Sequence, residues 1–386
     1  MTRTDLTGKS QLCLHRGRVC AIAALVACGG CNSSTGDGKA DLPLIWHLSS
    51  NANTNSYWLE GAPSVANGSL YLEDGNQVWA VATASGTALW KTQVKDFPLP
   101  GARNIVTRNG QVFISEVDSV TAMRANDGSV AWRFHPDSNA ALVGISADDR
   151  AVYTGQRGIP VVYALSELDG SLLWRVNVGQ GWTTPAFVTG VAVSGDTVYA
   201  GVSRWINQNG GLRAGVIVAL NRVTGAELWR YQTPGQGDDS QNVPLVVDDA
   251  LIVNDFYGGA VIALDRATGQ ERWRVASEGA GFGPIASAVA NGGHLYVASA
   301  DAYVYDISLA TGQVYWRQNT GTSLDGVAFC GGSVWATNGH LERRSATDGA
   351  LTGHSLNGDA LFTSSLASDG QNVYVTGYGG VYSFRC

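Results

Sequence analysis

Histidine and the acidic residues are the side chains of this 386-residue chain that could hold a metal ion or carry acid–base chemistry. A zinc site would need histidine and cysteine ligands at short, fixed spacings, and a calcium site would need several convergent oxygen ligands. The acidic residues mostly occupy turn positions, as Asp127 and Asp265 do. The histidines are scattered along the chain, at His47, His135, His294, His340 and His354. We therefore expect no metal site, no catalytic residues and no cofactor, and we expect that the protein is not an enzyme.

The first 27 residues have the composition of an export signal. Four basic residues precede an apolar run over residues 19–27, which is too short to span a bilayer permanently. The run ends in LVAC at residues 25–28, which resembles the lipobox of bacterial lipoproteins. We expect residues 1–27 to be a lipoprotein signal peptide and Cys28 to be lipidated, with an ordinary cleaved signal as the alternative. Small polar residues then predict a flexible tether over residues 28–41.

Only Cys330 and Cys386 lie in the body of the chain that follows the tether. The two could pair in an oxidising compartment, although their separation in space does not follow from the sequence. Cysteine is also among the most frequently buried residue types as a free thiol. We therefore favour two buried free thiols over a disulfide.

Composition indicates a folded protein made of many short strands. Hydrophobic residues make up 45% of the chain and charged residues 15%, which is enough to bury a sizeable core. The 49 glycines supply tight turns, and the 12 tryptophans supply large surfaces that need specific neighbours. The net charge of -7 repels phosphate backbones and argues against nucleic acid as a partner.

An eleven-residue repeat organises the chain. It is clearest at residues 219–229 (ALNRVTGAELW) and 263–273 (ALDRATGQERW), and a degenerate copy has Gly353 where the others have tryptophan. The turn glycines are separated by 42, 42, 55, 44, 43 and 37 residues, which is the size of a four-stranded propeller blade. One tryptophan per blade is predicted to pack structurally between neighbouring blades: Trp46, Trp90, Trp132, Trp174, Trp229, Trp273 and Trp316.

The two ends of the folded region predict how the ring closes. The last repeat unit has strands up to residues 381–384 and no fourth strand after them, whereas residues 44–48 match a final strand with no unit of their own. Pairing these two strands would complete an eighth blade and leave no open strand edge. The sequence therefore predicts an all-β protein in which residues 42–386 form a single eight-bladed β-propeller of four-stranded antiparallel blades, closed by its N-terminal strand.

The repeat A-x-D/N-x-x-T-G-x-x-x-W resembles that of the propellers related to pyrroloquinoline-quinone (PQQ) enzymes. The lipobox, the single domain, the eight blades, the length and the ending GGVYSF are most similar to the BamB family of lipoproteins in outer-membrane β-barrel assembly. The resemblance implies a non-catalytic, monomeric, protein-binding scaffold, lipid-anchored in the outer membrane and facing the periplasm. It also implies the barrel-assembly complex as the partner.

Two other functions remain open. The repeat is shared with PQQ-dependent oxidoreductases, but this chain lacks the adjacent cysteine pair that those enzymes place over the quinone. A surface propeller that binds a glycan or an extracellular protein is the third possibility. Because one fold supports many functions, the repeat alone does not choose among them.

The 55-residue spacing points to a candidate binding site. An insertion near residues 202–215 is predicted to lengthen the hairpin between the second and third strands of the fourth blade. The long connection into the fifth blade should lie on the same face, and BamB-like proteins dock through loops that enter two successive central blades, one of which carries paired aspartates. A tolerated surface insertion is the alternative. We predict partner binding by Arg204, Trp205, Ile206, Arg213, Asp238 and Asp239.

Overall fold

The structure is a computed structural model. It describes residues 40–49, 63–95, 105–137, 141–206, 213–234, 244–255, 258–277, 288–322, 324, 326–355, 366–377 and 379–386. The chain divides into two units, Met1–Gly38 and Lys39–Cys386, and the described residues all belong to the second. The predicted signal peptide, Cys28 and the tether up to residue 39 lie outside them. No helix in these ranges could cross a membrane.

Every regular element among the described residues is a β-strand. The first two strands, β1 (Ala40–Asp41) and β2 (Leu44–Ser49), pair with strands close to the C-terminus. The remaining strands follow in seven groups of four and a last group of three, which β2 completes, and each group forms one antiparallel sheet. The blades are numbered from the first complete sheet.

Blades 1 to 4 comprise sixteen consecutive strands. Blade 1 contains β3 (Ser64–Ala66), β4 (Ser69–Asp74), β5 (Gln77–Ala82) and β6 (Ala88–Gln93). Blade 2 contains β7 (Ile105–Arg108), β8 (Gln111–Ser115), β9 (Val120–Arg124) and β10 (Val130–Phe134). Blade 3 contains β11 (Leu142–Ala147), β12 (Ala151–Gln156), β13 (Val161–Ser166) and β14 (Leu172–Asn177). Blade 4 contains β15 (Ala186–Ser194), β16 (Thr197–Trp205), β17 (Arg213–Asn221) and β18 (Glu227–Gln232).

Blades 5 to 8 complete the ring. Blade 5 contains β19 (Leu245–Val247), β20 (Ala250–Asp255), β21 (Ala260–Asp265) and β22 (Glu271–Ala276). Blade 6 contains β23 (Ala288–Asn291), β24 (His294–Ala298), β25 (Tyr303–Ser308) and β26 (Val314–Asn319). Blade 7 contains β27 (Gly326–Cys330), β28 (Ser333–Thr337), β29 (Leu341–Ser345) and β30 (Leu351–His354). Blade 8 contains β31 (Ala367–Ser368), β32 (Asn372–Gly377), β33 (Gly380–Arg385) and β2.

The structure therefore confirms an eight-bladed β-propeller that is closed by an N-terminal strand. Strand β2 pairs antiparallel with β33, with Trp46 opposite Ser383. Strand β1 adds a second contact at this point, because Ala40 and Asp41 pair in parallel with Gly353 and His354 of blade 7. Strand β1 thus includes the last two residues of the segment predicted as a tether.

Burial follows the position of each strand within its blade. Middle strands such as β12 and β20 are buried along their whole length, as expected for strands covered on both faces. Outer strands such as β18 alternate between exposed and half-buried residues, which matches one covered face and one wet face. Neighbouring blades share hydrophobic clusters, so that the core is a ring of interfaces between blades.

A tryptophan and a glycine recur at seven of the junctions between blades. Each of these glycines has φ between +70° and +74°, and a Cβ atom added to it would lie 2.5–2.9 Å from the tryptophan ring of the preceding blade. Each indole Nε1 also donates a hydrogen bond of 2.8–3.2 Å to the carbonyl three residues before that glycine. The pairs are Trp46–Gly86, Trp90–Gly128, Trp132–Gly170, Trp174–Gly225, Trp229–Gly269, Trp273–Gly312 and Trp316–Gly349.

The junction between blades 7 and 8 is built differently. Cys330, at the end of β27, forms a disulfide with Cys386, which directly follows β33, and their Cα atoms are 5.5 Å apart. The expectation of two free thiols is therefore wrong. The cysteines are 56 positions apart in the sequence, which conceals their proximity, because the packing of blade 8 on blade 7 brings the end of β33 against the first turn of blade 7.

Candidate functional site

Blade 4 departs from the regular blade at one rim of the propeller. The hairpin from the second to the third strand and the connection into the next blade emerge at the same end of every sheet, which we call the upper rim. Strands β16 and β17 have nine residues each and remain paired from Thr197–Asn221 to Trp205–Arg213. Their equivalents in blade 5, β20 and β21, have six residues each. The insertion thus extends the blade 4 hairpin at the upper rim.

The structure places the predicted partner-binding residues of blade 4 at the base of this extension. Ile206 is exposed, at 39% of its full accessible surface. Arg204, Trp205 and Arg213 are half-buried rather than exposed, because their side chains stack on one another and on rings of the same rim. Asp238 and Asp239 lie outside the described residues.

A first stack of arginine and aromatic side chains joins blades 3 and 4. The Arg213 guanidinium lies 4.1 Å from the centroid of the Trp205 ring and 5.3 Å from that of the Phe187 ring. On the same phenyl ring lies the guanidinium of Arg157, at 5.9 Å, which comes from the upper rim of blade 3. Positive charge over an aromatic face is attracted by the ring quadrupole. The order of the stack is therefore Arg157, Phe187, Arg213 and Trp205.

A second stack involves Trp182, in the connection between blades 3 and 4. Its ring lies 4.7 Å from the Arg204 guanidinium and 5.4 Å from that of Arg230. Arg204 also donates a hydrogen bond of 3.4 Å from Nε to Thr184 Oγ1 in the same connection. Because Arg204 and Trp205 are adjacent in a strand, their side chains leave opposite faces of the hairpin. The two stacks therefore flank the blade 4 hairpin on either side.

The stacked arginines differ in how their charge is balanced. The guanidinium of Arg230 forms an ion pair with Glu227, and the hydrogen bond that it donates to this carboxylate raises the pKa of Arg230. Arg274 is held in the same way by Glu271 in blade 5. Among the described residues, by contrast, Arg157 and Arg204 have no carboxylate within ion-pair distance. The carboxylates in the described part of the chain therefore do not neutralise these two guanidinium groups.

Four members of these stacks were not predicted from the sequence, namely Arg157, Trp182, Phe187 and Arg230. Trp182 lies within residues 179–185 (GQGWTTP), which connect blades 3 and 4. An aromatic residue in a connection between blades was the available signal, because the repeat itself has its tryptophan elsewhere. Arg157 could not be found in this way, since its contact with Phe187 depends on two blades lying side by side.

A histidine–aspartate pair with a buried carboxylate lies apart from this rim, in blade 6. His294 Nδ1 lies 2.9 Å from Asp306 Oδ1, and only 1% of the Asp306 side chain is exposed. Burial raises the pKa of Asp306, while the hydrogen bond with His294 opposes that shift. The Tyr296 ring lies parallel to the imidazole at a centroid distance of 5.9 Å, and the Tyr315 ring is tilted against it at 5.0 Å. These contacts account for the pair as a structural element of blade 6.

The central channel contains a cavity of about 750 Å³ lined by the first strands of six blades. Most of the side chains that line it are aliphatic, from residues such as Val65, Val246 and Val289. The polar side chains among its described lining residues are Ser64, Ser368 and Asp248. A quinone held over calcium would need six to eight oxygen ligands around the ion and cationic groups for its carboxylates. The described lining does not fit that cofactor, and no cluster of three or more metal-binding side chains occurs in the described part of the chain.

Comparison with known proteins shows which proteins are similar to this chain. A family model described as outer membrane protein assembly factor BamB matches residues 41–159, 160–328 and 257–385. Outer membrane protein assembly factor BamB of Moranella endobia is 23% identical over 230 residues, which are 53% of this chain and 55% of that protein. Polyvinylalcohol dehydrogenase of a Pseudomonas species is 28% identical over 189 residues, which are 42% of this chain and 28% of that protein. The chain thus matches less than two thirds of the length of each of these relatives.

The fold extends beyond these sequence matches. The crystal structure of BamB from Moraxella catarrhalis superposes with a TM-score of 0.66 at 15% identity, over 89% of this chain and 100% of that one. This confirms the predicted resemblance to PQQ-like propellers and to BamB in particular. Since an assembly factor and a dehydrogenase are both among the relatives, the comparisons leave open whether the chain is an enzyme.

Proposed function

Because the chain belongs to the family of the outer membrane protein assembly factor BamB, we propose that it is a non-catalytic scaffold of the cell envelope that binds a protein of the outer-membrane barrel-assembly machinery. The observation that carries the proposal is the extended hairpin of blade 4, which holds Trp205, Ile206 and Arg213 at the upper rim. The propeller does not need this extension, since the other blades fold without it. Tryptophan and arginine are also the residue types most enriched at the centres of protein interfaces.

The proposal includes a lipid anchor. Residues 1–27 would be removed as a signal peptide, Cys28 would carry the lipid, and residues 28–41 would connect it to the propeller of residues 42–386. A lipidated chain of this kind would be attached to the outer membrane and face the periplasm as a monomer. The disulfide between Cys330 and Cys386 is consistent with an oxidising compartment outside the cytoplasm.

A PQQ-dependent dehydrogenase is the second candidate function, and the dehydrogenase relative favours it. The described lining of the central channel argues against it, because aliphatic side chains supply neither calcium ligands nor partners for a quinone's carboxylates. Incubation of the purified protein with PQQ and calcium separates the two functions. A scaffold should show no bound quinone absorbance and no alcohol oxidation, whereas either signal would favour the dehydrogenase.

Crosslinking in native membranes tests the scaffold function. Purification through this protein, followed by mass spectrometry, should recover a barrel-assembly protein. The yield should fall strongly for Trp205→Ala and Ile206→Asp, and for the joint replacement of Asp238 and Asp239 by alanine. Tyr315→Ala is the matched control, because Tyr315 is an exposed aromatic residue on the outer strand of blade 6. Failure to recover any component of the machinery would overturn the proposed role.

A further inference from the structure

The two stacks lie at the upper rim, one on each side of the blade 4 hairpin, and we call them together the arginine–aromatic patch. It comprises Arg157, Trp182, Phe187, Arg204, Trp205 and Arg213, with Ile206 exposed beside it. These residues come from the hairpins of two neighbouring blades, from the connection between those blades and, for Phe187, from the first strand of blade 4. The patch therefore has a fixed position on a rigid scaffold.

Stacking on rings prepares the guanidinium groups to bind carboxylates. A guanidinium that lies over an aromatic face keeps its N–H groups in the plane at its edge, where they can still donate hydrogen bonds. The rings also restrict the side chain, so that less conformational entropy is lost on binding. Arg157 and Arg204 have no carboxylate partner among the described residues, whereas Arg230 is already paired with Glu227. The patch thus provides planar donors for two or more carboxylates.

We propose that the arginine–aromatic patch binds an acidic, extended segment of a partner protein, a conclusion that rests on the binding role proposed above. Bidentate pairing of arginine with carboxylate provides both affinity and geometric specificity. The rings and Ile206 provide apolar contact for the side chains between the acidic residues. Each bound segment would place carboxylates on both sides of the blade 4 hairpin, because the two stacks flank it.

A protein segment fits the patch better than a phosphate polymer or an anionic membrane does. The chain has a net charge of -7, so that its surface as a whole repels polyanions and anionic bilayers. A short segment with a few carboxylates interacts mainly with the nearby arginines of the patch, because it is too small to contact the negatively charged surface around them. The half-buried rings between the arginines also match the alternating apolar and charged side chains of an extended peptide.

Fluorescence anisotropy with a labelled peptide tests this inference on the full chain. The probe is a peptide of alternating glutamate and threonine, which favours an extended conformation, and the reference peptide has glutamine in place of glutamate. The glutamate peptide should bind, the glutamine peptide should not, and binding should weaken as sodium chloride is added. Equal binding of the two peptides, or binding of neither, would overturn the inference.

Three variants identify the site. Arg157→Gln should weaken binding of the glutamate peptide about tenfold, and the combined Arg157→Gln and Arg213→Gln variant about a hundredfold. Arg317→Gln is the matched control, because its guanidinium lies 5.6 Å over the Tyr303 ring in blade 6, away from the patch. Since Arg157 is exposed, its replacement leaves the core intact, which circular dichroism checks. An equal loss in the Arg317 variant would contradict the assignment of the site.

Two further results separate this inference from the proposed function. Sedimentation with phosphatidylglycerol vesicles or with single-stranded DNA, in the absence of peptide binding, would show a different anionic ligand and overturn the acidic segment. A crosslinked assembly protein that is lost with Trp205→Ala but retained with Arg157→Gln would leave the scaffold role in place and remove this inference. If peptide binding depends on Arg157 but no assembly protein is recovered, the acidic-segment site stands and the proposed role in barrel assembly is overturned.

Discussion

At the scale of single residues, the turn glycines of the repeat meet two requirements at once. Their positive φ suits a left-handed turn, and the absence of a side chain lets the indole of the preceding blade approach closely. Gly269 shows both, with φ of +73° and the Trp229 ring 2.5 Å from an added Cβ. Gly195 has a positive φ of +56° and open space around it. Substitution of Gly195 therefore tests backbone strain alone, whereas substitution of Gly269 tests backbone strain together with the packing of the tryptophan.

This comparison leads to the first prediction. Gly269→Ala should lower the free energy of unfolding by about 2–4 kcal/mol, because alanine adds left-handed strain and displaces Trp229. Gly195→Ala should cost about 1 kcal/mol, because it adds the strain alone. Urea unfolding followed by tryptophan fluorescence measures both. Equal losses in the two variants would show that the indole adjusts freely and that docking contributes little.

Asp265 supports the same turn through hydrogen bonds that depend on its charge. It accepts hydrogen bonds from Arg272 and Thr268, which lower its pKa to about 2 from an ordinary value of 3.8. A carboxyl group whose pKa is depressed by folding adds stability above its unfolded pKa, and this stability is lost as the pH falls through the folded pKa. Asp265 should therefore stabilise the protein at neutral pH and cease to do so in strong acid.

The second prediction follows from this loss of stabilisation in acid. Asp265→Asn should lower the urea midpoint at neutral pH, and the difference from the parent chain should shrink as the pH falls from about 4 to about 2. Asp137→Asn is the control, because Asp137 is exposed and lies 3.9 Å from Arg175. Midpoints measured at a series of pH values provide the test. A difference that stays constant down to the lowest pH would contradict the role of the charge.

At the scale of elements, the degenerate seventh copy of the repeat has a structural reason. The tryptophan of each other blade docks on the turn that leads into the fourth strand of the next blade. Blade 8 has no such turn, because its fourth strand is β2 and its third strand ends at Arg385. A tryptophan at Gly353 would therefore have no glycine to dock on. Instead, Gly353 pairs with Ala40 of β1, and the disulfide joins blades 7 and 8.

The position of Cys386 supports this interpretation. Its N–H donates to Gln371 O at 3.0 Å, just as Arg222 at the first turn position of blade 4 donates to Asp196 O at 2.9 Å. In blade 4 the carbonyl of Arg222 accepts the hydrogen bond from Trp174. Cys386 thus occupies the position at which a preceding tryptophan would dock. The disulfide takes the place of that contact at the eighth junction.

The third prediction tests the replacement of a docking contact by a covalent bond. Cys386→Ser should lower the free energy of unfolding by about 2–4 kcal/mol, because the disulfide closes a long loop and joins blade 7 to blade 8. A reducing agent should destabilise the parent chain by a similar amount and leave the serine variant unchanged. Thermal unfolding measures both effects. If reduction did not change the unfolding temperature of the parent chain, the disulfide between blades 7 and 8 would contribute nothing to stability.

Much of the fold could be predicted from these elements because their signals are local. The eleven-residue repeat contains the turn, the strand and the docking tryptophan within one stretch, so that blade number and spacing follow directly. The disulfide and the stack of Arg157 on Phe187 depend instead on which blades become neighbours. The burial of Arg204 and Arg213 likewise results from contacts with Trp182 and Phe187. Sequence therefore predicted the scaffold better than the surface that the scaffold builds.

At the scale of the whole molecule, stability and binding depend on a closed ring. The patch joins residues from blades 3 and 4, and its geometry depends on how closely these blades pack. Opening the ring at the seam would leave β33 with an unpaired edge and would free every blade to shift relative to its neighbours. Ring closure at blades 7 and 8 is therefore expected to support the binding surface on the opposite part of the propeller.

The last prediction concerns this closure. A chain that starts at residue 50 lacks β1 and β2, and the exposed edge of β33 should pair with other molecules, which gives oligomers on size-exclusion chromatography. A synthetic peptide of residues 40–49 should restore the monomer, because it supplies the missing strand and the indole that docks on Gly86. The same peptide with Trp46→Ala should restore it poorly, since the strand is present without its docking contact. Full rescue by both peptides would show that backbone pairing alone closes the ring, and a monomeric truncated chain would show that the seam does not depend on β2.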